Sequence, residues 1–450
     1  MAHRQGDRSG CLSGVIRLRG SGGAGRVGAV PDFEIVHPVP VEESEAWISA
    51  MDLTFLADPS PEAHPGSTDF FRRVWEPQRH WGARSRGRWV ATLATRETTF
   101  TVPGMNGDTQ EVPADALTKV TVAATHRRRG LLTAMLDGAL AEGRERGDAV
   151  GILFAAEWPI YGRFGYAPAT SSANYSVDLR RPGVTVDPVE VGRVHQVDAG
   201  ELGKVAPDIF AAARRQRAGN IERRAPWWQR TLGLEGLPGV KVHGRLPNLF
   251  VHDGPSGPDG YLSWAATREF DGLTFGTVDV VDLCAATDDA YRDLWAYLTG
   301  MDLVDEITLG GRPVDEPVRW LMTDGRALRQ TYTGDAVWLR LLDVPAALSA
   351  RRYAVEDRLI LEVVDDDRGG FATGCYVLEG GPDGATCRRT TGSRADLTLH
   401  QRALASAYLG GFPLQMKCAA GLVTEHTPGA VRRADAMFLT PIAPWCATEF

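Results

Sequence analysis

Residues 120–135, VTVAATHRRRGLLTAM, carry the stretch that decides how this chain folds. A run rich in Thr and Val, ALTKVTVAAT, has the composition of a strand and feeds Arg127-x-x-Gly130-x-Leu132. Beyond it Leu132, Met135, Leu136, Ala139 and Leu140 recur at helical spacing, so a helix with one apolar stripe is expected over residues 129–147. A strand entering a helix through such a turn brings unpaired N–H groups and the positive end of the helix dipole to one spot. That arrangement binds phosphate. Gly130 lets the backbone approach a bulky anion, while Arg128 and Arg129 supply charge-assisted hydrogen bonds. The plainer alternative is a solvated, arginine-rich helix start.

On either side of this stretch the pattern is orderly. FEIVHPV reads as a short strand, VEESEAWISAMDLTFL as an amphipathic helix opened by acidic residues, RGRWVATLATRETTFTV as one long strand or hairpin arm, and AVGILFAAE as a strand buried on both faces. PGVTVDP reads as a linker. After it comes a partial echo: aligning Thr125 with Thr287 places VAATHRRRGLL over CAATDDAYRDL. Where the first copy has Arg127, Arg128 and Gly130, the second has Asp289, Ala290 and Arg292, a poor anion site. From Thr331 onward AVWLRLLD, RLILEVVDD and GCYVLEG read as strands, VPAALSARRYA as a helix capped by Asp343, and LTLHQRALASAYLGG as a strand end entering a glycine-closed helix.

At 450 residues the chain exceeds one hydrophobic core. Four segments are expected: an extension without fixed structure at 1–32, Gly- and Arg-rich and lacking the apolar core of a signal peptide; mixed α/β units at 33–182 and 183–330; and an α+β unit at 331–450. With 43% hydrophobic and 24% charged residues and no apolar run of membrane-spanning length, the composition is that of a soluble globular protein. The formal charge of -8 argues against a nucleic-acid partner and suits a cationic substrate. Six scattered cysteines, without CxxC spacing, read as reduced thiols of a cytoplasmic protein with no metal site.

The Arg127-x-x-Gly130-x-Leu132 pattern resembles the Q/R-x-x-G-x-G/A signature of GNAT acetyltransferases, from which Leu132 departs in its size. VTVAATHRRRGLL together with AAEWPIYGRFGYAPAT, VWLRLLDVPAALSARRY and the terminal EF resembles the Eis family of GNAT N-acetyltransferases. The resemblance implies two GNAT-type units, the second degenerate, followed by a sterol-carrier-protein-like domain. It also implies acetyl-CoA as cosubstrate and assembly into a homohexamer. Val120, Thr121 and Val122 would offer strand amides to the pantetheine arm and acetyl carbonyl; Arg128, Arg129, Gly130, Leu131, Leu132 and Thr133 would cradle the pyrophosphate; Ala156 and Glu157 would complete the contacts.

Acetyl transfer from a thioester to an amine needs a neutral amine, a stabilised oxyanion and a protonated leaving thiolate. Tyr161 in IYGRFGY is the expected proton donor, since an ordinary phenol stays protonated near neutral pH; Tyr166 is expected to be a packing residue. The resemblance implies that the α-carboxylate of Phe450 accepts the proton and that Glu449 lines the substrate entrance. The acceptor would then be a small cationic amine, an aminoglycoside or another polyamine. A protein lysine is the second candidate, and a non-catalytic lipid-binding or regulatory protein is the alternative outside catalysis.

Overall fold

A computed structural model describes residues 33–450, apart from 59, 61–66, 105–107, 238, 268–275, 366 and 369. The extension expected at 1–32, with Cys11, lies outside them. The described residues form two compact units, 33–96 with 117–141 and 97–116 with 142–450.

In the first unit Glu34–Val36 pairs antiparallel with His80–Ser85, which pairs antiparallel with the start of the long strand Arg88–Pro103. The helix Ser44–Thr54 buries Trp47 and Met51 against Trp75, Trp89 and Ala94. Trp47 is held there because its indole N–H donates to the carbonyl of Trp81 at 2.9 Å, which satisfies the one polar atom of a large apolar side chain. The end of strand Thr109–Val122 leads through a short turn into the helix Leu131–Arg146. Its buried stripe is Leu131, Met135, Leu136, Ala139 and Leu140, so Leu131 takes the core position expected for Leu132, which is only half-buried. Helix and sheet meet closely at Gly138, where a Cβ would lie 2.3 Å from the Trp81 ring.

The second unit holds strands of three sheets. Val337–Leu341 pairs antiparallel with both Val150–Phe154 and Ala167–Pro168. A second sheet runs in the order Leu328–Asp335, Ser171–Asp178, Val304–Arg312, Gly276–Ala285, Gly257–Thr267, Asn248–Gly254, Val194–Val197. Its one parallel pair, Gly276–Ala285 with Val304–Arg312, is joined by the helix Asp288–Thr299. A third sheet of five strands, with Asp357–Val364 at its centre, belongs to the C-terminal α+β segment. There Asp343 caps the helix Val344–Ala350 by accepting from the Ala346 amide, as its sequence predicts.

The expected boundaries at 182 and 330 are crossed by two strands. Ser171–Asp178, grouped by sequence with the first unit, pairs in the second sheet, while Val337–Leu341, grouped with the last segment, pairs in the first. Period-two alternation identifies a strand but not the sheet that receives it. The expected linker at 182–188 is also packed: Val184 and Val186 lie in the second sheet's core.

Candidate active site

The turn between strand and helix has the backbone of an anion cradle. Within the strand Lys119 takes a left-handed conformation, φ 54°, immediately before Val120, Thr121 and Val122. Thr92 braces this point, its hydroxyl reaching the Lys119 carbonyl at 2.8 Å and the Thr121 hydroxyl at 2.6 Å. Arg128 (φ 61°) and Gly130 (φ 83°) are also left-handed, so the helix begins at Leu131 rather than at 129. Ala134 N–H donates to the Gly130 carbonyl at 2.9 Å. The amides of Leu131, Leu132 and Thr133 precede that first helical bond and have no carbonyl one turn back. Residues 127–130 are exposed, and a Cβ on Gly130 would meet nothing within 4 Å. The cradle is open, cationic and rich in donors.

In the other unit, Val150–Phe154 ends one residue before Ala155, and exposed Ala156 and Glu157 lead into the helical turn Trp158–Tyr161. Ala156 and Glu157 therefore sit in the turn beyond the strand rather than at its end. Tyr161 is 6% exposed. Burial, reinforced by the Glu157 carboxylate, pushes its phenol up to about 12. Tyr166, 6.4 Å away ring to ring, is more deeply buried, and burial with nearby Asp115 raises its phenol further. Gly151 leaves room for the Tyr166 hydroxyl, which would lie 2.7 Å from any Cβ placed there. Both phenols stay protonated at neutral pH, but Tyr166 is enclosed by packing.

Residues 441–450 have no helix or strand, yet they are anchored along their length. Arg217 donates to the Ala443 carbonyl at 3.0 Å, and Ala443 N–H donates to Asp315 at 2.9 Å. Trp445 donates its amide to the Ala218 carbonyl and its indole N–H to the Gly311 carbonyl, at 2.9 and 2.7 Å. Ala447 N–H donates to the Asn220 side-chain oxygen at 2.8 Å. Thr448 is buried, Glu449 exposed and Phe450 half-buried. The Phe450 ring packs edge-on against Phe154, centroids 5.1 Å apart. Phe154 is the last residue of the strand that runs into Tyr161, so the chain end and the expected proton donor share one strand terminus.

The echo at Thr287 has the same strand-to-helix form and opposite chemistry. Thr287 caps the helix Asp288–Thr299 by accepting from the Ala290 amide at 3.1 Å, and its hydroxyl donates to Asp259 at 2.8 Å. Asp288 and Asp289 fill the first turn. The cap occupies the Ala290 amide, and the acidic first turn repels phosphate.

These features agree with comparisons to known proteins. Residues 36–169 and 219–341 each match the acetyltransferase (GNAT) domain, and 344–447 match the sterol carrier protein domain. An uncharacterized N-acetyltransferase of Streptomyces avermitilis is 38% identical, over 93% of this chain and 99% of its own length. N-acetyltransferase Eis of Mycobacterium tuberculosis is 34% identical, over 78% of this chain and 83% of its own. The crystal structure of Eis1 from Mycobacterium abscessus superposes with a TM-score of 0.78 at 33% identity, covering 92% of this chain and all of that one. The chain belongs to the Eis family of GNAT N-acetyltransferases. Like its family, it is an acyltransferase that takes its acyl group from coenzyme A.

For an Eis-family enzyme the cradle fits the cosubstrate: three free-standing helix amides, an unobstructed glycine and exposed arginines suit a pyrophosphate. Among the described residues no His, Cys, Asp or Glu cluster forms a metal-ion group, no helix is long and apolar enough to cross a membrane, and the five described cysteines are free. Sequence reasoning missed the left-handed φ of Lys119, because nothing in a lysine announces it. An anchoring role for the terminal aromatic was legible in the sequence, but not the partners that clamp residues 443–447, which are scattered over residues 217–220 and 311–315.

Proposed function

We propose that this Eis-family enzyme acetylates the amines of a small cationic acceptor, an aminoglycoside or another polyamine, by direct attack in a ternary complex. The residues at 120–122 and 128–133, with Ala156 and Glu157, bind acetyl-CoA. Tyr161 donates a proton to the departing thiolate, and the α-carboxylate of Phe450 takes one from the acceptor ammonium. One observation carries this reading: a terminal segment without secondary structure is clamped, and its last ring is packed on Phe154 beside the Tyr161 turn. Free termini ordinarily fray. An α-carboxyl has an ordinary pKa of about 3.5, so as a base it acts best through a relay water or on an amine already partly neutral.

Exposed Glu449 and the formal charge of -8 favour a cationic acceptor. A homohexameric assembly, taken from the family resemblance, and a cytoplasmic location, taken from the scattered cysteines without CxxC spacing, complete the proposal. The test is thiol release from acetyl-CoA against aminoglycosides, polyamines and lysine peptides, run on the enzyme ending at Phe450 and on one with residues appended after it. Turnover with polyamine-type acceptors that collapses on extension supports the reading. An extended enzyme that retains full turnover overturns the role of Phe450, and turnover confined to lysine peptides overturns the acceptor.

A further inference from the structure

Arg223 lies in the segment that threads between the long strand and the tail. Asn220 pairs with Thr101 on one side and accepts from Ala447 on the other. Three residues on, the Arg223 side chain is 2% exposed. Its Nε donates to the Thr448 hydroxyl at 2.8 Å and its Nη2 to the Ala447 carbonyl at 2.7 Å. Nη1 is shared between Asp282 at 2.5 Å and the Tyr261 hydroxyl at 2.7 Å. The guanidinium stands 4.1 Å from the ring centroids of both Phe210 and Trp227. It is therefore fixed on one edge by a carboxylate and an aromatic wall and spends its other edge on the two residues that precede Glu449-Phe450.

We propose that Arg223 is a positioning residue for acetyl transfer, aiming the Phe450 carboxylate by holding Ala447 and Thr448. The inference rests on the reading of that carboxylate as the proton acceptor. With Thr448 gripped and the Phe450 ring packed on Phe154, only Glu449 spans the two anchors. One extended residue covers about 3.3 to 3.6 Å, so the carboxylate has little room to wander. A planar fork can grip Asp282 and the tail at once, which a single ammonium cannot do. A base displaced by even about 1 Å costs rate steeply, on the order of 100-fold in favourable cases.

The experiment uses the full-length enzyme with acetyl-CoA and spermidine at pH 7 and at pH 10. Two variants are compared with the parent: Arg223→Lys, and Thr448→Val, which removes one hydroxyl at nearly constant volume and serves if the lysine variant does not fold. At pH 7 the acceptor is an ammonium and needs the base, so turnover is expected to fall about 10-fold or more with KM for acetyl-CoA unchanged. At pH 10 much of the amine is already neutral, given an ordinary alkylammonium pKa of about 10.4, and the defect shrinks to within about 3-fold. Equal defects at both pH values, or parental rates in Thr448→Val, overturn the inference, since loss of structure alone would not depend on the acceptor's protonation. The enzyme extended after Phe450 separates the two readings. Full rates in it remove the carboxylate and this inference together, whereas collapse in it beside parental rates in both variants removes Arg223 alone.

Discussion

The two GNAT domains put the same strand-to-helix junction to different uses. The first enters its helix through Arg127, Arg128, Arg129 and an unobstructed Gly130, with three amides left for a ligand. The second enters through Thr287, Asp288 and Asp289, with the Ala290 amide capped by the Thr287 hydroxyl. Instead, residues 217–223 and 311–315 around that second domain hold the chain's own tail. Both junctions lead a strand into a helix, and they differ in a handful of side chains: arginines and a glycine in the first, acidic residues in the second. Fold and function are thus separable at the level of one helical turn.

The largest effect is expected at Tyr161, the proposed proton donor of the first domain. Tyr161→Phe retains the ring and loses the proton, so kcat is expected to fall by about 100-fold or more while acetyl-CoA affinity persists. Tyr166→Phe keeps most of the activity, and steady-state kinetics showing equal losses would contradict the assignment. In the proposed role the protonated phenol is the active form, and burial raises its pKa to about 12. The sign is therefore clear: kcat should show no decline from this group up to pH ~10, where an unshifted tyrosine would already be half ionised.

A smaller effect is expected at the cradle. Arg128→Glu removes a charge-assisted bond and adds repulsion, so acetyl-CoA affinity should drop roughly 10- to 100-fold, with the melting temperature unchanged because the side chain is exposed. Smaller again is Gly219→Ala in the segment that seats the tail. Gly219 has φ +100°, and a Cβ would lie 3.0 Å from the Trp445 amide nitrogen. Strain of about 1–2 kcal/mol and a displaced tail should lower kcat about 5-fold without altering acetyl-CoA binding. Titration calorimetry and kinetics on the same preparation distinguish these two variants.

Much of this comparison is legible in residue order. The Arg127–Gly130 turn, the acidic echo at Thr287, the Asp343 cap and the Tyr161 turn are local features, set by residues within a few positions of each other. The exchange of Ser171–Asp178 and Val337–Leu341 between sheets was not legible, because strand partners lie more than a hundred residues apart and alternation does not name them. Arg223 gave no signal for the same reason: Asp282 and Thr448, its partners, are 59 and 225 residues away in sequence. The first position of the buried stripe is Leu131 rather than Leu132, beside a left-handed turn that starts the helix two residues late.

The claim on which the comparison stands is that one junction binds the cosubstrate and the other does not. Titration calorimetry of acetyl-CoA into the full-length enzyme tests it most directly, with Arg128→Glu and Asp289→Ala run beside the parent. The account predicts one site per chain, strongly weakened in Arg128→Glu and unchanged within about 2-fold in Asp289→Ala, a difference of under ~0.5 kcal/mol. Two equivalent sites per chain, or binding that survives Arg128→Glu intact, would contradict it.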